Sequence, residues 1–266
     1  SDVAAGVLSN DTDPDHLDVL TVTGFDATSQ FGAGVTVNPD GTYSYDPTAA
    51  GYLQALAVGE TALDTFSYTI ADLAGVESTS TVTIEVTGVN DAPVITAGGD
   101  VAGTVDEDGQ DAPTSVSGDL DSTDVDNGAT ATWSVDGGGA GAYGDLSVDV
   151  NGTWTYDLRN GDANVQALAA TESHDELFTI VVTDEHGATD TETVTVTVTG
   201  TNDDPVITAG GDVAGDVQED ATLSVSGDLD STDVDNGATA AWSVAGGGAG
   251  VYGDLSVDTD GTWTYD

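Results

Sequence analysis

An all-β fold of tandem antiparallel β-sandwich domains is predicted by three features of this 266-residue sequence. Short runs of β-branched residues alternate with polar residues, which is the period-two pattern of strands with one buried face. Gly, Asn and Asp cluster between these runs, as they do in tight turns. One pattern also recurs about every 110 residues, a length that suits an independent domain better than a solenoid unit.

The clearest repeated segment reads TVTIEVTGVNDAPV at 81–94 and TVTVTVTGTNDDPV at 193–206. Each copy begins as a strand and passes through Gly88 or Gly200 into Asn-Asp. It then reaches a proline, which cannot donate to a sheet ladder. An apolar strand start follows directly. We interpret the segment as the last strand of one domain, a very short linker and the first strand of the next domain.

This interpretation divides the chain into three repeats, a name used below for these ranges. The first repeat is 1–91 and lacks its first strand, the second is 92–203 and is complete, and the third is the front half of a domain at 204–266. About seven short strands in a complete repeat favour a sandwich. We expect the chain to be a window onto a longer protein in which the tandem domains form an extended rod.

The strands follow the same order in each repeat. In the first repeat they are predicted at 19–23, 35–37, 42–45, 65–70 and 79–87, with a helical turn at 52–56. Asp40 and Gly41 supply the positive φ that a tight hairpin needs. In the second repeat strands are predicted at 94–96, 101–105, 131–135, 146–148, 153–156, 177–183 and 193–199, with a turn at 164–168. The third repeat copies the front half of the second, through its two tryptophans. Four tryptophans are predicted to fill the cores: Trp133, Trp154, Trp242 and Trp263.

The charge balance is extreme, with 49 acidic residues, one basic residue (Arg159) and a formal net charge of −48. Such a charge repels nucleic acids and anionic membrane surfaces, so neither is an expected partner. Two explanations stay open, namely bound divalent cations and adaptation of the surface to high salt. The β-branched runs and a hydrophobic content of 38% argue against disorder. Without cysteine no disulfide can form, and no apolar run is long enough for membrane insertion.

Three acidic loops share one spacing. Each contains Asp-x-Asp and begins 28 residues before a hairpin glycine at Gly41, Gly152 or Gly261. Two carboxylates at i and i+2 direct several oxygens at one place, as a hard cation with six to eight oxygen ligands requires. An ordinary solvated loop is the alternative, but recurrence at one place in each repeat favours metal binding. The pairs are Asp13 and Asp15, Asp124 and Asp126, and Asp233 and Asp235.

The strings STDVDNGATATWSV at 122–135, VVTDEHGA at 181–188 and TVTVTVTGTNDDPV at 193–206 together resemble a cadherin-type repeat. TVTIEVTGVNDAPVI with DGTYSYDP resembles, more specifically, the VCBS-type and cadherin-like repeats of very large secreted bacterial adhesins of the RTX type. The resemblance covers essentially the whole chain and implies immunoglobulin-like or cadherin-like sandwiches. In that family Ca²⁺ lies at domain junctions, held by glutamates of the upper domain, the Asn-Asp linker and the Asp-x-Asp of the lower domain.

The resemblance implies two sets of calcium ligands, which we call the first and second joints. The first joint comprises Glu60, Asn90, Asp91, Asp124, Asp126 and Asp184. The second joint comprises Glu107, Glu172, Asn202, Asp203, Asp233 and Asp235. Glu219 and Asp72 would serve further joints. The linkers carry Asp-Ala-Pro and Asp-Asp-Pro where cadherins usually have a further Asn, so the number of ions per joint stays open.

The resemblance implies a calcium-rigidified spacer or stalk of a cell-surface or extracellular adhesin, with a role in adhesion or in biofilm or matrix structure. Its partners would be the neighbouring repeats of the same chain and other copies in a fibre or matrix. Two alternatives stay open. One is a self-assembling filament subunit completed by strand exchange. The other is a module that binds glycan or protein through Tyr52, Tyr143 or the tryptophans.

Catalysis is not predicted. The sequence has no HExxH motif, no G-x-S-x-G motif and no cysteine nucleophile. Its glycine-rich loops are not followed by a lysine that could hold phosphate. Paired carboxylates can cleave glycosides, but these pairs recur once per repeat, as structural features do and active sites seldom do.

Overall fold

A computed structural model describes residues 6–15, 18–96, 100–109, 112–208 and 212–266. The chain divides into two compact units. The first comprises Ser1–Thr96, Ser122–Thr132 and Val181–Thr191, and the second comprises Ala97–Asp121, Trp133–Ile180 and Glu192–Asp266. Two segments of the second repeat therefore belong to the first unit. All residues of the first joint lie in the first unit, and all those of the second joint lie in the second.

The first repeat has two sheets, one with strand order β1-β4-β5 and one with β2-β3. Its core packs Phe66 and Tyr68 of one sheet against Val35 and Val37 of the other. The helical turn predicted at 52–56 is a short helix that begins one residue earlier. The elements are a 3₁₀ helix at Val7–Asn10, β1 (Thr21–Phe25), β2 (Gly34–Val37), β3 (Tyr43–Asp46), α1 (Gly51–Gln54), β4 (Thr61–Ala71) and β5 (Glu77–Thr87).

The second repeat has sheets of order β10-β13-β14-β7 and β11-β12-β8, with β6 paired to β9. The rings of Tyr156 on β12 and Phe178 on β13 lie 5.7 Å apart, so the two larger sheets face each other across the core. The strands are β6 (Val94–Thr96), β7 (Ala102–Asp106), β8 (Ser115–Asp119), β9 (Asp121–Thr123), β10 (Ala131–Val135), β11 (Gly144–Val148), β12 (Thr153–Leu158), β13 (Ser173–Asp184) and β14 (Thr189–Thr199). Short 3₁₀ helices lie at Glu107–Gly109 and Asp136–Gly138.

The third repeat forms the pair β15-β17 and the sheet β16-β19-β18. The expectation that it copies the strands of the second repeat is wrong around Trp242, where no strand forms. The reason is the missing partner strand, because β10 is paired to β13 and no counterpart of β13 lies within the third repeat. The elements are β15 (Val206–Thr208), β16 (Val225–Asp228), β17 (Asp230–Thr232), a 3₁₀ helix at Ala245–Gly247, β18 (Leu255–Val257) and β19 (Thr262–Tyr265).

The predicted all-β sandwich class is confirmed. Strand position in the sheet decides how deeply each alternating face is buried. Val194, Val196 and Val198 are fully buried because β14 lies between β13 and β7, whereas the equivalent face of the edge strand β5 is only half-buried. Of the four tryptophans predicted to fill the cores, Trp154 and Trp263 are buried, whereas Trp133 and Trp242 are only half-buried. No helix in the described part of the chain has the length and hydropathy of a membrane span.

Leu120 tests the core of the second repeat, because its side chain is fully buried, with 0% exposure. Replacing it by Ala leaves a cavity and should lower the free energy of unfolding by about 2–5 kcal/mol. Chemical denaturation in calcium buffer, followed by circular dichroism, measures the change. Val150, which is 84% exposed, is the matched control, and its replacement by Ala should change stability by less than about 0.5 kcal/mol. Equal effects of the two changes would contradict the assigned core.

Candidate metal centres at the repeat joints

Glycine brings each linker against the preceding repeat. A β-carbon on Gly88 would overlap the carbonyl oxygens of Leu56 and Ala57, and one on Gly200 would overlap the carbonyl oxygen of Leu168. Only glycine permits this approach. The linker is then held by its backbone, since the amide of Gly88 donates to the Glu60 carbonyl at 2.9 Å and that of Gly200 to the Glu172 carbonyl at 2.9 Å.

The three Asp-x-Asp loops share one local conformation. In each, the backbone N–H of the second aspartate donates to the side chain of the first, at 2.8, 2.9 and 3.0 Å. This is an Asx turn, in which a short carboxylate replaces a backbone acceptor. The turn fixes the backbone of the second aspartate in every repeat. The donor and acceptor pairs are Asp15 and Asp13, Asp126 and Asp124, and Asp235 and Asp233.

In the first joint the linker is hydrogen-bonded to two loops of the second repeat. The N–H of Asp91 donates to Asp126 Oδ2 at 2.9 Å, and Asn90 Nδ2 donates to Asp184 Oδ2 at 2.8 Å. Asp184 also accepts from the backbone amides of His186 and Ala188. These hydrogen bonds, with that from the Asp126 amide to Asp124, connect Asn90, Asp91, Asp124, Asp126 and Asp184, and calcium binding by these residues stays a prediction.

One carboxylate oxygen in this joint has no donor. Asp126 is 6% exposed, and its Oδ1 is buried without a hydrogen-bond partner. Asp184 is in the opposite situation, because the hydrogen bond from Asn90, followed by backbone amides, holds its pKa below the usual value. A buried charged oxygen without a partner is costly. A positive charge beside Asp126 Oδ1 would therefore stabilise the first joint.

The second joint repeats this arrangement. Asp203 N–H donates to Asp235 Oδ2 at 3.0 Å, while Asp203 Oδ2 and Asp235 Oδ1 are buried without partners. Glu107 is fully buried and accepts from the backbone amide of Thr201 at 3.1 Å and from Gln166 Nε2 at 3.0 Å. The joint therefore adds a buried glutamate to the aspartate pair.

Burial raises the pKa of Asp203, and the charges of Asp235, Asp108 and Asp233 raise it further. Burial likewise raises the pKa of Glu107, with the Asp203 and Asp235 carboxylates adding to the effect. A carboxyl whose pKa is higher in the folded chain binds more protons there than in the unfolded chain. Its contribution to stability therefore falls as pH rises above the usual values of 3.8 for Asp and 4.5 for Glu. At neutral pH the negative charges of Asp203 and Glu107 therefore destabilise the folded arrangement of the second joint.

Glu60 and Glu172 lie at the joints but have other partners. Glu60 Oε2 accepts from the backbone amide of Ala57 and from Asn127 Nδ2. Glu172 Oε2 accepts in the same way from Ala169 and Asn236. Sequence reasoning missed these two asparagines. The signal was present, since Asp-Val-Asp-Asn-Gly occurs at both 124–128 and 233–237.

The acidic loop of the first repeat brings three carboxylates closer together than either joint does in the described part of the chain. Carboxylate oxygens of Asp13, Asp18 and Asp72 all lie within 4.8 Å of one another. Burial and the charges of Asp13, Asp72 and Asp15 raise the pKa of Asp18. Asp18 was not predicted as a site residue. Asp72 occupies the position of Asp184 in the next repeat, after the corresponding long strand, which explains its approach to the Asp-x-Asp loop.

Buried carboxylates away from the joints show how this chain normally satisfies such groups. Asp64 and Glu176 lie in the two cores and have no unpartnered oxygen. Their donors are Ser29 Oγ, Tyr45 Oη and the Phe31 amide for Asp64, and Tyr156 Oη with the Ala142 and Tyr143 amides for Glu176. The joint carboxylates therefore differ from these core carboxylates in lacking hydrogen-bond donors, and not merely in how deeply they are buried.

The oxygen-only donor sets fit a hard divalent cation. Ca²⁺ accepts carboxylate, amide and backbone oxygens in flexible geometry, whereas zinc and copper sites use nitrogen and sulfur. The unpartnered oxygens of Asp126, Asp203 and Asp235 are the places where such an ion would replace a missing donor. The residues present thus have the donor chemistry for Ca²⁺ at both joints, although within the described ranges three carboxylate oxygens lie within 4.8 Å of one another only at Asp13, Asp18 and Asp72.

The aromatic residues considered for ligand binding are placed differently. Tyr52 is 54% exposed and stacks on Phe31 with ring centroids 4.5 Å apart. Tyr143 stacks on His174 at 5.2 Å. Both are therefore engaged in intramolecular stacking.

The family model described as bacterial cadherin-like domain matches residues 1–88 and 90–200. Similar solved structures include human CDH23 EC21-23, with a TM-score of 0.47, 14% identity, and coverage of 93% of this chain and 78% of that one. For mouse Cadherin-23 EC22-24 the TM-score is 0.48 and the identity 17%, with coverage of 95% of this chain and 78% of that one. For PcdhgB3 EC1-4 the TM-score is 0.44 and the identity 16%. The match covers 94% of this chain and 57% of the length of that one. No curated protein matches the chain significantly.

Asp203 provides a test of the electrostatics without metal. In chelating buffer at neutral pH, Asp203→Asn removes a charge that is partly buried beside Asp235, so the melting temperature should rise, by the equivalent of about 1 kcal/mol. Asp204→Asn is the control, because Asp204 is the next residue along the chain, its side chain is exposed, and surface changes have small effects on stability. A lower melting temperature for Asp203→Asn than for the control would contradict the assignment of repulsion to this joint.

Proposed function

Since the chain belongs to the bacterial cadherin-like domain family, we propose that it is a calcium-stiffened spacer of an extracellular adhesin of the VCBS or RTX type. The family is one of non-enzymatic adhesion domains, and it favours an extracellular adhesion or stalk-type module. The proposal adds secretion or cell-surface placement, calcium dependence and a mechanical role. The three repeats would act as separate domains that hold a distant binding domain away from the cell or build a matrix.

The observation that carries the proposal is the recurrence of unpartnered carboxylate oxygens at both joints. Asp126 Oδ1 in the first and Asp235 Oδ1 in the second belong to equivalent residues, and both are buried. A chain with 49 acidic residues and one basic residue has almost no side chain that could supply the missing charge. A bound cation is the remaining source that suits oxygen ligands.

The joint residues would work as a unit. The Asn-Asp linker and the Asp-x-Asp loop would hold the ion in both joints, with Asp184 added in the first and Glu107 in the second. Ca²⁺ would supply the positive charge that lets these carboxylates lie together. The hydrogen bonds from linker to loop set the direction of the carboxylates in advance, which reduces the cost of ordering them on binding.

The mechanical consequence follows from linkage. A cation that binds only the closed joint stabilises it by RT ln(1 + [L]/Kd), which is about 2.7 kcal/mol when the free ion is at 100 times Kd. Without the ion, repulsion among the carboxylates would weaken the joint and let neighbouring repeats swivel more freely about the short linker. Extracellular calcium is compatible with weak sites, since extracellular modules bind it in the range of about 10⁻⁴–10⁻³ M.

Limited proteolysis tests the proposal. In chelator, cleavage near Asn90 and Asn202 should be fast, and calcium should slow it at both places by at least about tenfold. In calcium, Asp126→Asn should restore fast proteolytic cleavage only near Asn90, and Asp235→Asn only near Asn202, because each change removes one ligand of one joint. Asp136→Asn, at an exposed site away from both joints, is the control and should behave like the unchanged chain. Equal cleavage rates with and without calcium would overturn the proposal.

A further inference from the structure

The two asparagines that sequence reasoning missed make the same pair of contacts at both joints. The backbone N–H of Asn127 donates to the Ala55 carbonyl at 2.9 Å, and its Nδ2 donates to Glu60 Oε2 at 3.0 Å. Asn236 donates in the same way to the Ala167 carbonyl at 2.9 Å and to Glu172 Oε2 at 3.1 Å. In each case a loop of one repeat is hydrogen-bonded to the repeat before it.

The acceptors suit these donors. Ala55 follows the last residue of α1, where helix carbonyls lack an intrahelical partner. Glu60 Oε2 also accepts the Ala57 amide at 3.1 Å, so the carboxylate is held in place before Asn127 reaches it. Gly128 follows Asn127 with a φ of 74°, and Gly237 follows Asn236 with a φ of 72°. These left-handed glycines turn the chain away after the contact.

None of these contacts requires a metal. The asparagine NH₂ group is a donor and cannot ligate a cation, and the oxygen that it contacts on Glu60 or Glu172 accepts from two N–H groups, one of them the asparagine's own. This distinguishes the pair from Asp126 and Asp235, whose Oδ1 atoms have none. The joint thus has two chemically separate parts, one built on N–H donors and one on unpartnered carboxylate oxygens.

We propose that Asn127 with Glu60, and Asn236 with Glu172, form a metal-independent latch that positions each Asp-x-Asp loop before a cation binds. The inference rests on the proposed function for the role of the cation, but the latch itself needs none. Asn127 and Asn236 are positioning residues in this scheme, and Glu60 and Glu172 serve as hydrogen-bond acceptors. Because the asparagines are exposed, each latch stabilises the position of the loop only weakly. The cation then supplies the larger part of the stabilisation of the joint.

The latch is tested in chelator by hydrogen exchange of the amide at position 127, corrected for the intrinsic rate of each residue. Asn127→Ala removes the side-chain donor and should speed this exchange about fivefold, the factor that corresponds to one ordinary hydrogen bond. Asn151→Ala is the matched control, because Asn151 also precedes a glycine but lies in the hairpin turn beside Asp149. This control should leave exchange at position 127 unchanged.

A reversed pair separates the latch from a general structural role. Asn127→Asp places two carboxylates together and should speed exchange, whereas the double change Glu60→Gln with Asn127→Asp restores one donor and one acceptor with the original net charge. The double variant should recover most of the protection, a coupling that a double-mutant cycle measures. Equal exchange in the unchanged chain and Asn127→Ala, or no recovery in the double variant, would overturn the latch.

A calcium titration of the same proteins distinguishes this inference from the function it rests on. If the latch prepares the joint, Asn127→Ala should weaken calcium binding at the first joint about fivefold and leave the second joint unaffected. Unaltered calcium affinity at the first joint in Asn127→Ala would refute the positioning role. A chain that binds no calcium, yet shows the predicted exchange pattern in chelator, would keep the latch and refute the proposed function.

Discussion

Carboxylate oxygens that are buried without a donor are the constraint on which the joints depend. Asp126, Asp203 and Asp235 each have such an oxygen, in a chain whose only strong base, Arg159, pairs with Asp145 and Asp162 in the second unit. A low-dielectric environment increases the cost of an unpaired charge and increases the stabilisation from an added counter-charge. The same groups can therefore oppose closure of the joint without a cation and favour it with one.

The rest of each repeat positions these oxygens. The long antiparallel strands end where the linkers begin, and glycine at positions 88 and 200 lets each linker lie against the turn that precedes the first of those strands. In the second and third repeats, the second aspartate of the Asx turn accepts a hydrogen bond from the linker amide. Because the residues that make these contacts belong to the repeated sequence, the Asp-x-Asp turn, the linker glycine and the hydrogen bond from linker to loop recur at both joints.

The repeats, the sandwich class and the acidic loops could be predicted from sequence because each depends on short-range patterns. Alternation on 193–199 predicts a buried strand, and the recurrence of Asp-x-Asp at one place in each repeat predicts equivalent loops. The pairing of Asp91 with Asp126 was accessible only through the family resemblance. The repeated Asp-Val-Asp-Asn-Gly marks Asn127 and Asn236, but their acceptors could not be predicted, since these depend on where a distant turn places its carbonyl group. The unformed strand around Trp242 shows the converse, because a strand needs its neighbour as well as its sequence.

The most direct test of the account is a crystal structure of the chain grown with millimolar calcium. The account predicts ion density at both joints, within the usual calcium–oxygen distance of about 2.3–2.6 Å of Asp126 Oδ1 and Asp235 Oδ1. Density that contains only water at these atoms, with the aspartates of the linkers and loops turned apart into solvent, would contradict it.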